Sequence, residues 1–97
     1  MYANKSQISK IFGVSPPTVY SRVAGIEAEI NRRYNRYALL DNLVSIEVFA
    51  DYQKYRKLLA DKKLRKFVPP FSMSEAREYL LEKGLLHIVC KEVNIAC

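Results

Sequence analysis

Residues 5–23 read Lys-Ser-Gln-Ile-Ser-Lys-Ile-Phe-Gly-Val-Ser-Pro-Pro-Thr-Val-Tyr-Ser-Arg-Val. They describe two helices and the turn between them. Asn4 stands just ahead and Gln7 three residues after it, the spacing of a capping box, in which the Asn4 side chain accepts from first-turn N–H groups and Gln7 reaches back. Ile8, Ile11 and Phe12 follow at helical spacing. Gly13 stands where a helix commonly stops with a positive φ. Ser15 caps a second helix, and Pro16 suits its first position, where a missing N–H costs nothing. Val19, Val23, Ile26 and Ile30 form one apolar stripe at steps of four, three and four, which carries this helix to about Arg33. Gly25 inside it costs about 1 kcal/mol against alanine and marks a close backbone approach. The opposite face shows Pro17, Thr18, Ser21 and Arg22, with Tyr20 at its edge.

Downstream, the helical period breaks. Residues 34–44 read as a short hairpin, extended over Tyr37 to Leu40 with Asp41-Asn42 as turn chemistry. A further helix begins at Asp41 or Ser45 and runs to about Leu59, with Val48, Tyr52, Tyr55 and Leu59 on its apolar face. Residues 45–66 thus form a basic helix and its extension. Val68-Pro69-Pro70-Phe71 is a rigid connector, because each residue before a proline is pushed off the α region. Ser72 or Ser74 caps a last helix with Ala76, Tyr79 and Leu80 as its stripe and Gly84 as its stop. Residues 85–97 are apolar with β-branched residues and read as a strand or a loosely docked tail. The 97 residues fit a single domain, mainly α, without an internal repeat.

Composition narrows the class. Hydrophobic residues are 49% and charged residues 27%, the balance of a globular chain. No apolar run is long enough for a membrane span, and the N-terminal Met-Tyr-Ala-Asn-Lys-Ser-Gln has no apolar stretch, so no secretory leader is expected. Cys90 and Cys97 lack zinc-ligand spacing and read as thiols in a reducing compartment, with a bacterial or phage-type cytoplasm the simplest home. The charge is uneven. Residues 1–66 carry 13 basic and 6 acidic residues, net +7, whereas the remainder carries −1. The first acid is Glu27, so the whole 5–23 segment is free of carboxylates that would repel phosphate. Such asymmetry points to a polyanion-facing surface.

The 5–23 segment resembles a helix-turn-helix. Ser9 is the small residue that lets the two helices cross, where the family more often has alanine; Gly13 makes the turn and Val14 is the buried residue after it. More loosely, the chain resembles the small helix-turn-helix and winged-helix proteins of phages and integrative elements, which act as repressors, activators or excisionases. The resemblance implies a recognition helix starting at Pro16, a hairpin wing, and double-stranded DNA as partner. Lys5, Ser6, Gln7, Lys10, Ser15, Pro17, Thr18, Tyr20, Ser21 and Arg22 would line the DNA-facing surface. Arg32, Arg33, Asn35 and Arg36 would sit at the helix end or wing base, near the DNA backbone, or equally form a solvated helix end. Self-association is expected, with the apolar tail 85–97 as the seam. Lys54 to Lys66 fits either a second phosphate surface or a solvated helix end.

No catalytic constellation is visible. His87, in Leu-Leu-His-Ile-Val, reads as a packed or hydrogen-bonded imidazole. There is no phosphate loop, paired-carboxylate motif or metal spacing, and the seven tyrosines read as core in a chain without tryptophan. No enzyme activity, cofactor, metal or small-molecule ligand is expected. Two other classes remain open: a protein-interaction adaptor acting through residues 34–59, and the DNA-recognition subunit of a packaging complex.

Overall fold

A computed structural model of the chain describes residues 1–95. These are mainly helical, with five helices and one small antiparallel sheet: β1 Tyr2–Asn4, α1 Lys5–Phe12, α2 Pro16–Ala28, β2 Leu39–Leu40, β3 Leu43–Ser45, α3 Ile46–Ala60, α4 Met73–Glu82 and α5 Leu86–Glu92. Asn4 ends β1 and caps α1 in the same step. Its side chain accepts from the Gln7 N–H at 2.8 Å, and its own N–H donates to Gln7 Oε1 at 2.9 Å. Gly13 closes α1 with φ 64°.

The Asp41-Asn42 turn joins β2 to β3, with Leu40 opposite Leu43 and Leu39 opposite Val44. Asp41 takes the positive φ, 53°, which a short polar side chain tolerates. β3 is the middle strand and also pairs with β1, Ala3 facing Val44. β1 is not foreseen from the sequence, because three residues before a cap carry no period. Ser45 ends β3 and caps α3, accepting from the Val48 N–H at 3.3 Å.

α3 is the central helix, packed on α2 and α4. Every residue from Ile46 to Asp51 is buried, and the Phe49 ring lies 4.7 Å from that of Phe12. Val48 and Leu59 are inside as their spacing predicts, but Tyr52 and Tyr55 are half-buried. The two acids on the buried stretch have cationic partners. Glu47 accepts from the Met1 amino group at 2.9 Å and from Arg77 Nε at 3.2 Å. Asp51 accepts from Arg33 Nε and Nη2, both at 2.8 Å, and from the Tyr34 hydroxyl at 2.7 Å. Arg33 also donates to the Pro69 carbonyl at 2.5 Å, and Phe71 meets the Tyr34 ring edge-on at 5.5 Å, so the Pro-Pro connector is anchored at both sides. Ser72 caps α4 and Gly84, at φ 68°, stands just past its end.

Several expectations are corrected. α2 ends at Ala28, five residues before Arg33. The Glu29 carbonyl gathers the N–H groups of Arg32, Arg33 and Tyr34, and Asn31 turns to φ 68°, so the chain leaves the helix although Ile30 continues its apolar period. Leu86–Glu92 of the tail is a helix, neither a strand nor loosely docked: Val89 is fully buried, Ile88 and Val93 pack against the core, and Gln7 Nε2 donates to the Glu92 carbonyl at 2.8 Å. Packing on α1 overrides the β-propensity of these residues. The seam expected at 85–97 is therefore engaged within the chain over its described part; Ala96 and Cys97 lie outside the described residues. His87 is exposed rather than packed. Cys90 is disulfide-bonded, not a thiol. Tyr2, Tyr20 and Tyr37 are exposed, so the tyrosines do not all serve the core.

Candidate nucleic-acid interface

The α1–α2 turn is held through Ser9. Its carbonyl receives the N–H groups of Gly13 and of Val14, the latter at 3.2 Å, and its hydroxyl donates to the Val14 carbonyl at 2.5 Å. A hydroxyl where alanine would suffice thus adds a bond across the turn. Val14 is half-buried against the core, while Val19 and Ile26 hold α2 down as fully buried residues. Ser15 precedes α2 but makes no side-chain bond to its backbone. Pro17 has removed one of the two N–H groups that a cap would serve; the Ser15 hydroxyl instead shares a hydrogen bond with Thr18 Oγ1 at 2.9 Å.

The face this leaves in solvent is Pro16, Pro17, Tyr20, Ser21 and Ala24, continued in the last turn by Glu27 and Ala28, with Thr18 and Arg22 half-exposed beside it. Tyr20 is 62% exposed. On the α1 side, Lys5, Ser6, Ser9 and Lys10 line a shallow pocket of about 230 Å³ with Pro16 and Tyr20, and Lys5 Nζ sits 5.3 Å from the centre of the Tyr20 ring. On the α3 side runs a groove of about 620 Å³, lined by Pro17, Thr18, Ser21, Arg22, Tyr52, Arg56, Lys57 and Ala60. Neither hollow has a carboxylate in its lining. Arg22 Nη1 donates to Gln53 Oε1. Burial lowers the Arg22 pKa from its ordinary value, and the nearby Arg56 charge lowers it further.

Gly25 is the notch that brings α3 this close. A Cβ there would meet the Tyr52 hydroxyl and lie 2.6 Å from Tyr52 Cζ. Tyr52 and Arg56 are one helical turn apart, so the same approach carries Arg56 to the flank of α2. In sequence Arg56 and Lys57 belong to one undivided basic cluster; Gly25 together with the Tyr-x-x-x-Arg spacing is the signal that singles them out.

Nine of the expected residues therefore lie together: Lys5, Ser6, Lys10, Ser15, Pro17, Thr18, Tyr20, Ser21 and Arg22. Gln7 is committed to the α1 cap and to α5. The arginines after α2 separate. The Arg33 side chain is only 7% exposed and is bound to Asp51. Arg32 is exposed at 3.9 Å from Glu29. Arg36 is exposed and donates to the Tyr37 hydroxyl at 2.9 Å. Asn35 accepts from the Tyr37 N–H at 2.8 Å and starts a short 3-10 turn. The 54–66 cluster separates as well, because Arg65 Nη1 donates to Glu29 Oε2 at 2.8 Å and Lys54 lies 3.7 Å from Glu75. Hydrogen bonds from Arg65 hold the Glu29 carboxyl below the usual carboxylate range against the opposing effect of burial.

Among the described residues no cluster of His, Cys, Asp or Glu could hold a metal ion, and no helix is long and apolar enough to cross a membrane. No protein-family model, curated protein or solved structure matches the chain.

Proposed function

We propose that the chain is a sequence-specific DNA-binding protein in which α1 and α2 act as a helix-turn-helix, α2 enters the major groove, and the β2–β3 hairpin serves as a wing. The observation that carries this is the outer face of the first turns of α2, Pro16 to Ala24: exposed, free of acids before Glu27 in the last turn, and bordered by Lys5 and Lys10. A helix with its side chains is about 10–12 Å across, which matches the major groove. Thr18 and Ser21 offer hydroxyls to base edges near the helix N-terminus, Tyr20 offers a ring and a hydroxyl, and the lysines suit phosphates.

Within this function the chain would act as a transcriptional regulator or excisionase-type factor of a phage or mobile element. One motif of this size buries too little DNA for tight specific binding, so two copies per site are expected. The two copies need not meet through the tail, whose described part is engaged within the chain. Selection of bound duplexes from a randomised pool tests the function. A recurring sequence motif, bound with a log–log salt slope of about −4 to −5, is the expected result. Recovery of unenriched sequence, or a slope of zero, contradicts it.

A further inference from the structure

We propose that the groove between α2 and α3 is a phosphate site, in which Arg22, Arg56 and Lys57 clamp one backbone phosphate segment of duplex DNA; this rests on the DNA-binding function above. Elsewhere, cations near a carboxylate are paired with it: Arg33 with Asp51, Arg65 with Glu29, Arg77 with Glu47 and Lys54 with Glu75. The three groove cations have no carboxylate within 4.0 Å among the described residues. They come from two helices, so the fold, not a run of sequence, assembles them.

Arg22 and Arg56 stand near enough to repel. An unneutralised guanidinium pair is a cost in the free protein that an anion between them removes, and guanidinium forks match phosphate oxygens. The groove also opens at the first turn of α2, beside Pro17 and Thr18, where the helix dipole favours negative charge. Ser21 lines the same groove and also faces outward. A phosphate held there fixes the register of the base-reading face against the duplex, which is how backbone contacts support specificity. Lys57 also suits the C-terminal dipole of α3, and that lesser role would alter stability without altering salt dependence.

The test is the full chain carrying Arg56→Gln and Lys57→Gln, titrated across salt against a mixed-sequence duplex and against the selected site. Two lost contacts should make the log–log slope shallower by about 1.8. Both duplexes should weaken by the same factor, with cooperative unfolding in urea retained. Lys83→Gln with Lys91→Gln removes equal charge from the exposed ends of α4 and α5 and should leave the slope alone. If the groove variant unfolds, exposed Lys57→Gln alone should change the slope by about 0.9. A slope equal to that of the unaltered protein, or an equal change from the control pair, overturns the groove while leaving DNA binding by α2 standing. Absence of any duplex binding by the unaltered chain overturns both.

Discussion

Asp51→Asn should be among the most damaging single substitutions in this chain. The carboxylate receives two guanidinium N–H bonds from Arg33 and the Tyr34 hydroxyl, all between 2.7 and 2.8 Å. The Arg33 and Asp51 side chains are 7% and 5% exposed, so neither charge has water to fall back on. The amide keeps the shape but loses the charge and turns an N–H₂ group toward an arginine that can only donate. Removing one member of a buried pair costs about 3–5 kcal/mol, because the other charge stays buried and uncompensated. For a domain of this size that lowers Tm by about 15–30 °C. Arg33→Met should cost about 3–5 kcal/mol for the reciprocal reason. The double variant, with no unpaired ion left, should lose about 3 kcal/mol less than the sum. Urea denaturation followed by far-UV circular dichroism gives all three values. A loss below about 1 kcal/mol for Asp51→Asn, or additive losses in the double variant, refutes a buried pair. Arg33→Met should also leave the DNA salt slope unchanged.

Gly25→Ala should destabilise by about 1 kcal/mol, overcrowding against Tyr52 outweighing the gain in helix propensity; in a Tyr52→Ala background it should stabilise, and the same sign in both backgrounds contradicts the notch. Val89→Ala should cost about 2 kcal/mol in urea titration, as a fully buried side chain does, whereas a loosely docked tail would lose almost nothing. The depressed Glu29 pKa means that its pairing with Arg65 adds stability above the ordinary carboxylate pKa and that this is lost as pH falls through the lowered value. Glu29→Gln should therefore lower the urea midpoint at pH 7, and the difference should shrink as the pH falls below the ordinary carboxylate range; a difference that stays constant as the pH falls contradicts the linkage.

The helix boundaries that were legible are those written by local chemistry. Asn4 with Gln7, Gly13, Ser45, Ser72 and Gly84 each satisfy or release backbone groups of their own neighbours, so their types are informative without the rest of the chain. What was hidden depends on distant partners. Ile30 extends the α2 period, yet Asn31 and the bonds around Glu29 end the helix, and Glu29 is held by Arg65 from 36 residues away. Ile88, Val89 and Val93 favour strands in isolation and become helical against α1. Arg33 looked like its neighbours Arg32 and Arg36 until Asp51 came against it. At the candidate interface, the face of α2 followed from its stripe and its proline start, but the flank supplied by Arg56 follows only from the α2–α3 crossing at Gly25.

The claim that α2 reads sequence is tested most directly by the ratio of affinities for the selected duplex and a scrambled one, measured for the unaltered chain, Ser21→Ala and Lys10→Ala. Ser21 lies on the exposed face of α2, while Lys10 borders it from α1. Ser21→Ala should cost about 1–3 kcal/mol on the selected duplex and far less on the scrambled one, collapsing the ratio. Lys10→Ala should weaken both alike and leave the ratio intact. If Ser21→Ala lowers both affinities by one factor, or lowers neither, α2 is not the recognition helix and α1–α2 is an ordinary helical hairpin.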